Sequence, residues 1–273
     1  MTTINTNLQA LKAQNALSVN GRNLQHAMTE LATGLRVSSA SDDSAGMAIG
    51  NKMQSRILSL NQAARNANDG ISMMQTADGA AQELSNMLTR MNELAIQSAN
   101  GTNGTTDRTA LDSEFTELQA GMSNIIASTS WNGIKVLDGS LSSPVNMQIG
   151  ASGISSDAMQ VTFSDFSTLA ALTTSGVNTV SDASTAMSDI KTSQTSILSG
   201  RTNWGAGMNR LSFAMDNSAN VSMNLSASRS QLIDTDYAKA TADLARAQIV
   251  QQAGTAMLSQ ANQQPVMVLY LLS

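Results

Sequence analysis

The chain has 273 residues with 20 acidic and 15 basic side chains, a formal net charge of -5, and is 13% charged, 41% hydrophobic and 3% aromatic. The charged share is about half that of an ordinary globular chain, and its sign excludes the basic stripe that nucleic acid requires. With no cysteine there is neither a disulfide scaffold nor a thiolate metal site, and so few aromatics favour thin helix-on-helix packing over a broad core.

The first residues, Met1-Thr2-Thr3-Ile4-Asn5-Thr6-Asn7, lack the basic region and apolar stretch of a secretory signal. Ile4, Leu8 and Leu11 then fall at steps of four and three, and after a slip in phase Leu17, Leu24, Met28, Leu31 and Leu35 continue the stripe. This predicts a helix with a stutter in its seam, ending near Gly34 before the loop Ser38-Ser39-Ala40-Ser41. Asp42, Asp43 and Ser44 supply capping oxygens for the next helix. There Met53, Ile57, Leu60, Ala64, Ala67, Ile71 and Met74 keep the four-three rhythm, and Ala77, Ala81, Leu84, Leu88, Met91, Ala95 and Ser98 resume it. A helix from about Ser44 to Ala99 would run roughly 80 Å at 1.5 Å per residue, a length that belongs in an elongated bundle.

Asn100 to Thr106 is a turn-rich break, short enough for the helix marked by Leu111, Phe115, Leu118, Met122 and Ile125 to fold back antiparallel. Trp131-Asn132-Gly133 ends the helical run, and Ile134 to Leu137 reads as a strand leading into a turn at Asp138-Gly139. Met147 to Ile149 and Met159 to Phe163 are further predicted strands. From Ser181 a second long helix is marked by Ala183, Met187, Ile190, Gln194, Ile197, Arg201, Trp204, Met208, Leu211, Met215 and Leu225. Its length matches the stretch 44–99, so the two are expected to pack along each other. The last stripe is Ile233, Tyr237, Ala240, Leu244 and Ala247, interrupted at Gln251 and resumed by Gly254, Leu258 and Ala261. Such a narrow stripe can be buried only against another helix, and the segment from Ile4 to Leu35 is the partner left over.

The expected fold is therefore mainly α, an elongated helical bundle or coiled coil with a small β-hairpin module in the middle of the chain. Residues 1–42 form an N-terminal coiled-coil segment that pairs with 231–273 as an inner terminal domain. Residues 43–176 form the N-terminal part of a rod, with a β-rich module over about 131–176, and 177–230 its C-terminal long helix. An Ala- and Gln-rich pair buries little apolar area, against roughly 1–2 kcal/mol per residue of backbone ordering. The ends are expected to lock only when copies stack.

Residues that could carry chemistry have simpler readings. His26 is read as solvated, with no carboxylate in helical register, and Asp42-Asp43 as caps rather than an acid–base pair. Asp234 and Asp236 lack the other ligands of a cation loop. Gly200 to Gly207 has no phosphate-binding lysine. The seventeen methionines mostly fall on the seams as gap-filling core. No catalytic residue, cofactor site or metal site is expected, and the chain is read as no enzyme; its chemistry is self-association. The run Val266 to Leu272 is too short to span a bilayer, so no membrane insertion is expected, and by these signals alone the chain stays in the cytoplasm.

Three stretches together resemble bacterial flagellin. The first is Ile4-Asn5-Thr6-Asn7 with LATGLRVSSASDDSAGMAI at Leu31 to Ile49. The second contains QAARNANDGISMMQTADGA and LTRMNELAIQSANG, followed by WNGIKVLDG at Trp131 to Gly139. The third is SRSQLIDTDYAKATADLARAQIVQQAGTAMLSQANQ at Ser228 to Gln263. The resemblance implies a structural subunit that self-assembles into the flagellar filament for swimming motility, here in a short form with little or no outer domain. It replaces the cytoplasmic reading with an extracellular one, reached by unfolded export through the flagellar type III apparatus without a cleaved signal peptide. Implied partners are further copies of the chain, an export chaperone, and the filament cap and hook-associated proteins. The alternative is a flagellin-like hook–filament junction protein or a cell-surface binding protein. Ile4, Leu8, Leu11, Leu24, Leu31, Ile233, Tyr237, Leu244 and Leu258 would be the terminal coiled-coil and polymerisation residues. The family is also sensed by a host Toll-like receptor, and Arg90, Glu93, Leu94 and Glu114 occupy the matching positions; Thr89 and Asn92 depart from the commonest pattern.

Overall fold

The computed structural model describes residues 6–141, 143–151, 154, 157–169 and 176–272, the stretch 265–272 as backbone only. Ile4 lies outside the described residues. The helices are α1 (Leu8–Thr33), α2 (Ser44–Ala99), α3 (Thr105–Ser128), α4 (Val180–Ile233) and α5 (Tyr237–Leu272). Between α3 and α4 lie the strands β1 (Ser130–Trp131), β2 (Ile134–Lys135), β3 (Val145–Gln148) and β4 (Ala158–Val161). The fold is mainly α, as the periodicity predicts. Two compact units divide the chain: Met1–Ile57 with Met223–Ser273, and Leu58–Ser222.

In the unit Leu58–Ser222, α2 and α4 run antiparallel. Gly70 faces Leu211, Gly207 faces Met74, and the Arg201 Nε lies 2.7 Å from Asp78 Oδ1. Glycine at 70 and 207 lets the helices approach until only a side-chain tip fits between them. The buried row of α4 is Ala183, Ala186, Ile190, Ser193, Ile197, Trp204 and Leu211, a three-four repeat. Met187, Gln194, Arg201 and Met208, expected on that seam, flank it and are half-buried. Helix α3 folds back antiparallel on α2, burying Phe115, Met122 and Ile126 in the core formed by Leu84, Leu88 and Met91. Its return is tied off where Arg108 Nε donates to the Ser98 carbonyl at 2.9 Å and Asp112 Oδ1 accepts the Val177 amide at 2.6 Å.

The first hairpin differs from its prediction. Strand β1 pairs with β2 in the register Ser130 to Lys135 and Trp131 to Ile134, so the turn is Asn132-Gly133 rather than Asp138-Gly139. Asn132 has φ 48° and Gly133 φ 80°, the two left-handed residues that a tight hairpin needs to match strand twist. Val136 and Leu137 do not continue β2; both are buried, and the Leu137 carbonyl accepts the Phe166 amide at 2.9 Å. Asp138 instead closes a local turn, and the Ser140 hydroxyl and amide lower its carboxyl below the usual range. Strands β3 and β4 pair antiparallel with Met147 opposite Met159. The segment after β4 is anchored by Trp204, whose ring centroid lies 6.1 Å from Phe163 and 5.9 Å from Phe166 and whose Nε1–H donates to the Thr162 carbonyl at 3.2 Å.

In the other unit, α1 lies antiparallel on α5. The α1–α2 loop and the α4–α5 joint form a short antiparallel tie, with a bridge between Leu35 and Asp234. Thr235 N donates to the Gly34 carbonyl at 3.0 Å and Arg36 N to the Ile233 carbonyl at 2.7 Å. Gly34 ends α1 with φ 70°, the left-handed cap that glycine adopts without penalty. Asp43 Oδ1 caps α2 by accepting the Gly46 amide at 2.8 Å. Asp42, also expected to cap, holds the loop instead by accepting the Ser38 and Ser39 amides at 3.1 and 2.9 Å on Oδ2.

Candidate functional site: the terminal helix pair

The seam of α1 is Ala10, Ala13, Leu17, Asn20, Leu24, Ala27 and Leu31, all buried or half-buried and spaced three and four apart. It has no stutter. The apparent slip arose because alanine and asparagine occupy the early seam positions while the leucines nearby do not. Leu8 and Leu11, expected on the seam, stand off it at 59% and 58% exposure, and Met28 is exposed as well. Leu24 and Leu31 are on it.

On α5 the seam is Ala240, Leu244, Ala247, Gln251, Gly254, Leu258 and Ala261, and Ile233 is buried just before it. Tyr237, expected to be buried there, is 57% exposed, with its hydroxyl beside Gly34. The helix is capped by Asp236, whose Oδ1 accepts the Ala238 amide at 2.9 Å.

Gln251 is no interruption. Asn20, one of the two buried residues of α1, donates from Nδ2 to the Ala247 carbonyl at 2.8 Å and to Gln251 Oε1 at 3.2 Å. Two polar seam positions, one on each helix, thus satisfy each other inside the pair. One turn away Leu17 fills the space at Gly254, its Cδ2 lying 2.7 Å from where a β-carbon would stand. At the far end Asn7 Nδ2 reaches the Ala261 carbonyl at 2.8 Å.

Two hollows follow one another along the same side of the pair, meeting at Val250, and differ in chemistry. One hollow is lined by Ala13, Ala16 and Leu17 of α1 and by Val250, Gly254 and Met257 of α5. The other is charged, lined among others by Glu30, Arg36, Asp236, Lys239 and Asp243. His26 sits beside it, Nδ1 3.4 Å from Glu30 Oε1 and Nε2 3.4 Å from Asp42 Oδ1. The reading of His26 as having no carboxylate in register is thereby corrected, since Glu30 lies one helical turn on. Beyond the seam, α5 carries a second apolar row, Ile249, Val250, Ala253, Ala256 and Met257, all exposed. Ile249 and Met257 are 66% and 65% open.

A second exposed cluster lies on the unit Leu58–Ser222. Arg90 donates from Nε and Nη2 to Glu114 Oε1 at 2.9 and 2.7 Å and from Nη1 to Glu93 Oε2 at 3.0 Å. Glu114 and then Glu93 raise the guanidinium pKa further above its ordinary value. Leu94, grouped with these residues by sequence, is 1% exposed and belongs to the core beneath them.

Residues 4–142 match the family described as bacterial flagellin N-terminal helical region, and residues 187–272 match bacterial flagellin C-terminal helical region. A flagellin from Halalkalibacterium halodurans is 40% identical over 270 residues, covering 98% of this chain and 99% of the relative. A flagellin from Listeria monocytogenes is 33% identical, covering 99% of each chain. Polar flagellin F from Vibrio parahaemolyticus is 31% identical over an alignment of 376 positions covering 99% of each, so it carries inserted segments that this chain lacks. Among solved structures, the crystal structure of Bacillus cereus flagellin superposes with a TM-score of 0.51 at 31% identity, covering 56% of this chain and 88% of that one.

Proposed function

The chain belongs to the bacterial flagellin family and is a structural subunit of the flagellar filament, the extracellular part of the flagellum; we propose that α1 and α5 are the element through which its copies join. The observation that carries this is the second apolar row of α5. One face is spent on α1, and Ile249, Val250 and Met257 on the next remain open to water. Burying side chains of this size is worth about 1.5–3 kcal/mol each, a gain that repeats with every copy added. On this reading residues 1–42 and 231–273 act together as the terminal domain, and the remaining chain forms a second unit.

Export through the flagellar type III apparatus, unfolded and without a cleaved signal peptide, suits so thin a pair. Asn20 and Ala27 are the buried residues of α1, at 9% and 5% exposure, so opening it sacrifices little core. No described helix is long and apolar enough to cross a membrane. A chaperone would cover the two apolar faces of α5 before export, and the filament cap and hook-associated proteins would receive the chain at the growing end. Where a host Toll-like receptor meets this surface, Arg90, Glu93 and Glu114 are the side chains within its reach, with Leu94 supporting them from inside.

Seeded polymerisation tests the assignment. Purified chain given filament fragments should elongate them, and deletion of Gln231 to Ser273 should abolish elongation while the unit Leu58–Ser222 keeps its helical signal and unfolding transition. A truncated chain that elongates normally would refute the role given to the ends.

A further inference from the structure

The seam between α1 and α5 is nearly blind to its own register. Leu17, Leu24 and Leu31 recur every seven residues on one helix; Ala240, Ala247, Gly254 and Ala261 recur every seven on the other, with Leu244 and Leu258 two heptads apart. Sliding either helix by one heptad lays leucine against alanine again, so apolar burial barely distinguishes the slipped pair from the observed one. Gln251 stands where a third leucine would complete the series, and Asn20 stands where an alanine would.

We propose that Asn20 and Gln251 are the register-setting pair along the helices of the terminal domain, selecting, beyond the backbone tie of Gly34–Arg36 to Ile233–Thr235 at one end, a single alignment among those the apolar seam leaves near-equivalent. The donor on Asn20 meets Gln251 Oε1 and the Ala247 carbonyl only in this alignment. A slip of one heptad leaves a backbone carbonyl within reach of Asn20 but sets its amide against Leu244 or Leu258 and the Gln251 amide against Ala13 or Ala27, each stripped of the other as partner. An unpaired buried amide is penalised more than an apolar residue in the same place, so the pair acts by making the alternatives worse rather than by adding strength. Gly254, which receives Leu17 where the flanking heptads present alanine, biases the same alignment sterically. The outcome matters for assembly, because the exposed row Ile249 to Met257 and the hollow at Ala13, Ala16 and Leu17 keep a fixed relation only in one register. That consequence rests on the polymerising role proposed above; the register itself does not.

Since the chain has no cysteine, engineered disulfides report register without background. Three full-length double variants are compared as unassembled chain in a glutathione redox buffer: Leu17→Cys with Gly254→Cys for the observed alignment, and Leu17→Cys with Ala247→Cys or with Ala261→Cys for the two slips. Introducing cysteine at 17 and 254 removes the steric device and leaves the polar pair to act alone. With Asn20 and Gln251 intact, closure of 17–254 is expected to exceed either slipped pair at least tenfold. With Asn20→Leu and Gln251→Leu together, a slipped pair should rise to within a few-fold of it while helicity is retained. The exchanged pair Asn20→Gln with Gln251→Asn should restore the preference, which a merely stabilising role would not require. If the leucine chain folds poorly, Asn20→Ala with Gln251→Ala serves in its place. Slipped closure that is already comparable in the parent chain, or that stays absent when both amides are removed, would overturn the proposal. Seeded elongation by the leucine chain is scored separately: single-register disulfides with failed elongation would count against the register proposal but not against the polymerising role of the ends.

Discussion

His26 Nε2 lies 3.4 Å from Asp42 Oδ1, while the other oxygen of the same carboxylate holds the Ser38 and Ser39 amides. One side chain thereby organises the α1–α2 loop and meets the flank of α1. The Ser39 amide leads the causes that lower the Asp42 pKa from 3.8 to about 2, with the Ser39 hydroxyl and the Ser38 groups adding to it.

A carboxyl whose pKa falls on folding stabilises the fold above its unfolded pKa and loses that contribution as pH drops through the folded value. The Asp42 contribution is therefore complete above about pH 4 and gone near pH 2. Thermal unfolding of the parent chain and Asp42→Asn should show a difference in Tm at pH 6 that closes between pH 4 and pH 2. A difference that persists unchanged to pH 2 would show that the Ser38 and Ser39 amides do not act through the charge.

Gly254 offers a test of close packing in the seam. A valine there meets Leu17 Cδ2, which already lies 2.7 Å from the β-carbon position, and overpacking of this kind costs about 1–3 kcal/mol. Combining Gly254→Val with Leu17→Ala should recover much of the loss, because the two side chains compete for one space. Denaturation of the single and double variants checks it; strictly additive losses would mean that the helices do not meet at these residues.

Trp204 anchors the segment after β4 to α4. Trp204→Ala should cost about 3–5 kcal/mol in chemical denaturation. Trp204→Phe should cost less, since it keeps a ring beside Phe163 and Phe166 but leaves the Thr162 carbonyl without its donor. Equal losses for the two variants would assign the anchoring to the indole hydrogen bond rather than to the rings.

The long helices were legible because period and length agreed over many turns: the expected bounds Ser44 to Ala99 are the observed ones. Phase was harder to read than period. The seam of α1 runs through Ala10, Ala13 and Asn20, residues that carry little hydrophobic signal, while Leu8 and Leu11 carry a strong one and face water. A polar residue on a seam looks like a break until its partner across the interface is known, and Gln251 lies 231 residues from Asn20. The hairpin at Asn132-Gly133 carries a readable signal, since that dipeptide favours two left-handed residues in succession, but the strands on either side hold two residues each, too few to show an alternating pattern. Leu94 is placed with Arg90 and Glu93 by the family resemblance, although one helical step turns it from the surface into the core.

The central claim is that the second apolar row of α5 is what copies of the chain bury. Its most direct test is elongation of filament seeds by Ile249→Asp with Met257→Asp, followed by light scattering and electron microscopy. Both side chains are about two-thirds exposed, Ile249 facing away from α1 and Met257 at the rim of the hollow beside Leu17, so helicity and the Leu17→Cys/Gly254→Cys disulfide should be retained while elongation stops. Elongation at the parent rate by that doubly substituted chain would contradict the account.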